Sequence, residues 1–302
     1  MSGLHRFALF TAASTLCLII AGALVTSNDA GLSVPDWPLS YGQWMPEMVG
    51  GVFYEHGHRM IASFVGFLTI ILNVWLWRSE SRSWVKKLGL AAFFAVVAQG
   101  VLGGLTVLYF LPTPISVGHA CLAQLFFTMT VSIALFTSPA WKRQAAERAD
   151  RMLDEGSPTL RHLALGANLI ILTQLALGAA FRHKGFGIEP HLIGAAAVAL
   201  IVIWVLARVT SRFASDRPLM RWALLINGLV MMQLALGGAT FWVRAATESS
   251  PQPLLPMVAL TVAHVAVGAL ILAISVLFTI QAHARTRRPS NDVEQPDLAT
   301  SS

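Results

Sequence analysis

Four histidines and one glutamate are the residues of this 302-residue sequence whose types and placement could do chemistry. His58, His119, His191 and His264 each lie toward one end of a long apolar segment, and those four segments alternate with four others. An ionisable side chain inside an apolar span is costly and marks function by default. His58 and His191 are 133 residues apart and His119 and His264 are 145 apart, so the four form two pairs, one in each half of the chain. Two imidazoles at similar depth on different helices are what axial ligation of one haem iron from both sides requires. A lone buried histidine is commonly a hydrogen-bonded structural residue; it is the matched pairing that points to a metal or a haem. Zinc fits less well, because a tetrahedral structural site needs further Cys or His ligands close by. His5, His162, His183 and His283 fall at segment ends or outside them and read as ordinary surface residues.

Glu55 makes the halves unequal. It precedes His58 by three residues, which on a helix puts both on one side, while His56 is one step round and faces elsewhere. At the matched place in the second half Glu189 precedes His191 by only two, with Pro190 between them. Proline suits the first turn of a helix, so Glu189 reads as a cap or loop residue. Only the first half therefore offers an acid beside its own histidines, either for proton transfer or to orient a ligand imidazole.

The elements that must position these groups are transmembrane helices. The chain is 55% hydrophobic and only 12% charged, more apolar surface than a soluble domain of this size could bury. A span needs about 20 mostly apolar residues, and eight segments qualify, near 7–26, 54–77, 84–108, 115–137, 160–181, 190–209, 220–243 and 257–281. The first is long for a signal peptide and lacks a clear small-x-small cleavage site, so a retained helix is expected. All but four of the 21 Lys and Arg fall in alternate connections, which predicts cytoplasmic termini and histidine sites near the outer face. That asymmetry accounts for the net charge of +6, so no nucleic-acid partner is implied. Cys17 and Cys121 lie inside spans and read as small buried apolar residues.

An internal repeat divides the chain. Gln99-Gly-Val-Leu-Gly103-Gly104-Leu-Thr106 in the third span matches Gln233-Leu-Ala-Leu-Gly237-Gly238-Ala-Thr240 in the seventh, and Gln174-Leu-Ala-Leu-Gly178 repeats the phrase less completely in the fifth. Small residues let helices approach closely, and a flat macrocycle between helices needs them as well. The expected architecture is all-α and polytopic, with eight transmembrane helices as two pseudo-symmetric four-helix bundles. The first half is 1–142, the second is 143–284, and 285–302 is expected to be a disordered cytoplasmic tail.

Taken together, Glu55-x-x-His58-Arg59, the Gly31-Leu-Ser-Val-Pro35-Asp36-Trp37-Pro38 segment, the repeated Gln-x-x-x-Gly phrases and His119, His191 and His264 resemble the haem A synthase family of cytochrome oxidase assembly, over about residues 7–281. The resemblance implies conversion of haem O to haem A by successive hydroxylations of a porphyrin methyl group in a cell (plasma or inner) membrane. It implies a haem b cofactor on His191 and His264, substrate haem O at His58 and His119, and Glu55 as the important carboxylate. Arg59, Arg182 and Arg244 are candidates to pair with the haem propionates or to anchor at the interface. An electron donor and a haem O synthase are candidate partners, and a homo-oligomer is a further candidate. Some members carry a cysteine pair in the first outer loop; this chain has none there. Two rival readings keep the same histidines: a di-haem b-type cytochrome that only relays electrons, and a haem carrier or transporter.

Overall fold

The computed structural model describes residues 2–146 and 151–288. Among these, eight helices are long and apolar enough to cross a membrane. In chain order they are α1 (Gly3–Ser27), α2 (Gly50–Ser79), α3 (Ser83–Leu108) and α4 (Thr113–Thr137), then, after a short α5 (Pro139–Ala146) and strand β1 (Met152–Leu153), α6 (Leu160–Arg182), α7 (Glu189–Arg212), α8 (Arg217–Ala246) and α9 (Leu255–Arg285), which ends in strand β2 (Thr286–Arg287). The protein is an all-α polytopic membrane protein. Several helices run a few residues beyond their apolar stretches, and caps or prolines start six of the eight: the Ser2 hydroxyl accepts from His5 N–H, Thr159 from His162 N–H and Asp216 from Leu219 N–H, and Pro114, Pro190 and Pro256 sit in first turns.

Contacts run round α1, α2, α3 and α4 and back to α1, and round α6, α7, α8 and α9 and back to α6. Between the sets, α1 and α4 meet α9, and α4 meets α6. The buried apolar residues are unevenly distributed along these helices. One cluster gathers Leu4 of α1, Leu72 and Leu76 of α2, Val85 of α3 and Ile133 of α4. The other gathers Leu160 and Leu163 of α6, Val209 of α7, Leu219 of α8 and Phe278 of α9. Both cores lie mostly beyond the histidines along their helices. On α2 the buried apolar run starts at Val65, beyond His58, and on α7 at Val198, beyond His191. On α9 the core reaches Val267, within a turn of His264.

The core-side ends are sealed by polar ties. Glu80, buried just past α2, accepts from Arg82 Nε and Nη2 at 2.8 Å each, and Arg82 also donates to the Phe136 carbonyl. Arg285 pairs with Asp216 at 2.9 Å. Asp154 accepts from the Leu160 N–H at 2.6 Å, and β1 pairs in parallel with β2.

Four expectations are corrected here. His5 is buried, its Nδ1 2.9 Å from the Ala134 carbonyl, because it joins α1 to α4 instead of facing water. Cys17 is exposed on α1 and Cys121 half-buried; a thiol is apolar enough to face lipid, so burial is not required. The segment expected to be a free tail from 285 is ordered at its start: Arg285 ends α9, and 286–287 pair with β1. Residues 289–302 of that expected tail lie outside the described residues. Finally, α2 begins at Gly50, so His58 sits just over two turns inside the helix and does not open it.

Candidate functional site

Each of the four histidines lies against a glycine of the preceding helix. A Cβ on Gly22 of α1 would stand 3.1 Å from His58 Cε1, and one on Gly103 of α3 would stand 3.4 Å from His119 Cε1. In the second half the corresponding distances are 2.8 Å for Gly178 on His191 and 3.2 Å for Gly237 on His264. The repeated glycines thus have a defined use: they let the Cε1 edge of an imidazole come close to a neighbouring helix. The glutamine of the phrase adds a tie. Gln99 Nε2 donates to the His119 carbonyl at 2.9 Å and Gln174 Nε2 to the His191 carbonyl at 2.9 Å, so each glutamine fixes the backbone of the histidine it faces.

The Nδ1 atoms of His58, His119 and His264 are buried without a hydrogen-bond partner, and the rings lie against the backbone of Leu18, Gln99 and Gln233 respectively. Each of those residues is four before the seating glycine. His191 Nδ1 instead meets Gln174 Nε2 at 3.1 Å. With Nδ1 turned to the protein, Nε2 is the nitrogen left to ligate in His58, His119 and His264. In His191 the Gln174 amide nitrogen donates to Nδ1, so ligation through Nε2 requires that amide to turn and accept from Nδ1–H through its unpaired Oε1.

His191 and His264 face one another with ring centroids 6.2 Å apart and planes at 64°. Two imidazoles bound through nitrogen on opposite sides of one metal ion, at about 2 Å each, place their centroids about 6 Å apart. His58 and His119 are likewise electrostatic neighbours. Among the described residues no group of three or more His, Cys, Asp or Glu is arranged to hold a bare metal ion. The donor set in each half is two imidazoles, which suits an iron whose other four ligands come from a macrocycle.

A sequence model of the cytochrome oxidase assembly protein family matches residues 5–190. The chain is 30% identical to the heme A synthase of Symbiobacterium thermophilum over 267 residues, which is 78% of this chain and 85% of that protein. It is 33% identical to the heme A synthase of Geobacillus kaustophilus over 109 residues, 35% of this chain and 34% of that protein. It is 32% identical to the heme A synthase of Roseobacter denitrificans over 126 residues, 38% of this chain and 33% of that protein. The chain belongs to the cytochrome oxidase assembly protein family.

In this family member the remaining site candidates have distinct surroundings. Glu55 is buried; one carboxylate oxygen accepts from the Val34 N–H at 2.9 Å and the other from Arg59 Nη2 at 2.7 Å. It makes no hydrogen bond to His58 among the described residues. Arg59 donates through Nη1 to the carbonyls of Asp36 and Leu39, at 2.8 Å each. Its guanidinium is thereby engaged with the loop between α1 and α2. His56 turns away from the histidine pair, its Nδ1 2.8 Å from the Ser40 hydroxyl. Glu189 is exposed in the first turn of α7, and Arg244 is exposed near the end of α8.

Arg182 differs from all of these. At the end of α6 it reaches across to α1, where Nη2 donates to the Ala23 carbonyl at 2.9 Å and to the Ser27 hydroxyl at 2.6 Å, while Nη1 is buried with no partner. It is also an electrostatic neighbour of His264. A half-buried cation with a donor left unpaired among the described residues is a place for an anion.

Sequence reading missed the loop contacts entirely. Residues 33–40 form a strap whose backbone is held by Glu55 and Arg59, and the indole of Trp37 lies on Gly104 of α3. The available clue was the i,i+4 spacing of Glu55 and Arg59, an ion pair in waiting on any helix.

Proposed function

We propose that this chain is a haem A synthase, oxidising a methyl group of haem O to a formyl group by successive hydroxylations to supply haem A for cytochrome oxidase. The observation that carries the reading is the 6.2 Å separation of the His191 and His264 rings, joined to the family membership. In this reading His191 and His264 hold a haem b, and His58 and His119 hold the substrate haem. The two sites belong to two four-helix halves, 1–142 and 143–284, with the termini cytoplasmic and the histidine ends toward the outside.

When bound, the haem b supplies one-electron chemistry; an iron held by two histidines has no open position for oxygen. The chain's own residues do the rest. The glycine-seated imidazoles fix the angle of each ligand plane, and the glutamines hold their backbones. Arg182 Nη1 pairs with a propionate of the second-half haem. Glu55 borders the first site as its carboxylate, and each oxygen, with one bond made, keeps a lone pair for a proton. Arg59 holds that carboxylate in place.

The test is to purify the protein in detergent, extract the non-covalent haems with acid solvent, and identify them by chromatography and mass. Haem b with haem O, a hydroxylated intermediate or haem A supports the synthase. Haem b alone, at about two per chain as two bis-histidine sites would hold, means an electron-relaying cytochrome, and no haem overturns the histidine argument. Glu55→Gln is expected to keep haem b and lose turnover; full activity in that variant removes Glu55 from the reaction.

A further inference from the structure

The repeated phrase ends in two glycines in each half, and only the first of each pair is explained by a histidine. Gly103 and Gly237 seat His119 and His264, but Gly104 and Gly238 part company. A Cβ on Gly104 would stand 2.7 Å from Trp37 Cδ2 and 2.9 Å from Cε2, so the indole lies directly on the α3 backbone. A Cβ on Gly238 would meet nothing within 4 Å. The second half has no counterpart of the strap: between α6 and α7 the chain needs only residues 183–188.

The strap is fastened at both sides of the first histidine pair. On α2, Glu55 accepts from the Val34 N–H and Arg59 donates to the carbonyls of Asp36 and Leu39. Those two residues flank His58, three before it and one after it. On α3, Trp37 rests on Gly104, the residue next to the one that seats His119. The strap is also internally rigid: Asp36 accepts from the N–H groups of Tyr41 and Gly42 at 2.7 and 2.8 Å, which, with the Gly42 bond foremost, hold its carboxyl below the usual range. A covalently continuous segment tied to the helix of one ligand and resting beside the seat of the other closes the gap between them.

We propose that residues 33–40 are a fixed roof over the first-half site and that Trp37 is the positioning residue that retains the substrate porphyrin beneath it. This rests on His58 and His119 being the substrate ligands. The indole offers a large, rigid apolar face at low entropic cost, next along α3 to the residue that seats His119. The asymmetry has a physical sense. Both halves offer two imidazoles, so what the first half adds is an apolar cover, which contributes retention without a further bond to the iron. In this arrangement Glu55 and Arg59 serve the reaction partly by holding the roof.

The experiment uses detergent-purified protein that retains its haem b. Haem O is added, and its release to excess apomyoglobin is followed by absorbance. Trp37→Ala and Gly104→Leu are each expected to release haem O about tenfold faster than wild type, with the double variant no faster than either alone, because both remove one contact. Haem b per chain stays unchanged in all three, which shows that they fold. Gly238→Leu, the matched change in the second half, leaves haem O release unaltered. Wild-type release rates in Trp37→Ala and Gly104→Leu overturn the roof. The underlying site reading is tested separately with His58→Ala and His119→Ala: if both bind haem O as wild type does, the ligand assignment fails whatever Trp37 does.

Discussion

The imidazoles of His191 and His264, drawn from α7 and α9, stand 6.2 Å apart between ring centroids with their planes at 64°. That separation matches two imidazoles bound through nitrogen on opposite sides of one metal ion, about 6 Å between centroids. His264→Ala is therefore expected to lower haem b to below about a tenth of the wild-type content, since a metal site loses far more with a ligand than the 10–100-fold typical of an outer partner. Pyridine haemochrome spectra per chain measure it. A full complement of haem b with an unchanged low-spin spectrum in that variant would mean the iron sits elsewhere.

The glycine seats are graded, and the grading is testable. A Cβ at Gly178 would come within 2.8 Å of His191 Cε1, closer than real Cβ contacts, while one at Gly103 would stand 3.4 Å from His119 Cε1, ordinary contact. Gly178→Ala is expected to displace His191 and cost haem b roughly as the loss of a positioned ligand does, about 10–100-fold in affinity. Gly103→Ala is expected to leave haem O binding within about threefold of wild type. Equal effects at the two positions would show that the rings adjust freely and that the seats do not position them.

The eight spans were legible because length and hydropathy alone decide whether a segment crosses a bilayer, and the four histidines because each is a polar exception within one. What escaped was set by groups outside the apolar stretches. The start of α2 at Gly50 lies beyond the hydrocarbon, where hydropathy says nothing. The β1–β2 pairing joins residues more than a hundred apart with two residues a side, too short to carry a period. Glu55 was legible as a buried acid, but its partners were not: Val34 reaches it through a backbone N–H, which every residue but proline owns, so no side-chain pattern could name it. His5 was misread for the opposite reason. Its place at a chain end implied water, while the carbonyl of Ala134, freed near the end of α4, needed a donor.

Acid sensitivity is expected at the core-side ends of the helices. Glu80 is buried, and the Arg82 guanidinium bonded to it, helped by the Arg82 N–H and Lys142, holds its carboxyl down to about 2 from an ordinary 4.5. A depressed folded-state value means the stabilisation is complete above the unfolded value and is lost as pH falls from about 4.5 toward 2. The contribution is a few kcal/mol by the conversion of about 1.4 kcal/mol per pKa unit. Glu80→Gln is expected to flatten the fall in thermal stability between those pH values and to lower stability at neutral pH. If the wild type and the variant lose stability in parallel on acidification, Glu80 is not the group responsible.

Arg182 yields two effects of opposite sign. Its Nη2 is satisfied by Ala23 and Ser27 of α1, but Nη1 is buried with no partner, and no carboxylate forms a salt bridge with it among the described residues. Asp29 acts on it only at a distance, so a charge at such a place costs stability, and replacing it by an apolar side chain of similar length commonly recovers some of it. A haem propionate at Nη1 reverses the balance, turning a desolvated cation into a charge-assisted pair. Arg182→Met is therefore expected to raise the melting temperature of protein made without haem and to weaken haem b retention by about tenfold, a loss of about 1.4 kcal/mol. Melting curves of the haem-free and haem-loaded forms check both arms. A variant less stable in both forms would mean that the two bonds to α1 are the whole role of Arg182, whereas a variant more stable in both would mean that no anion ever pairs with it.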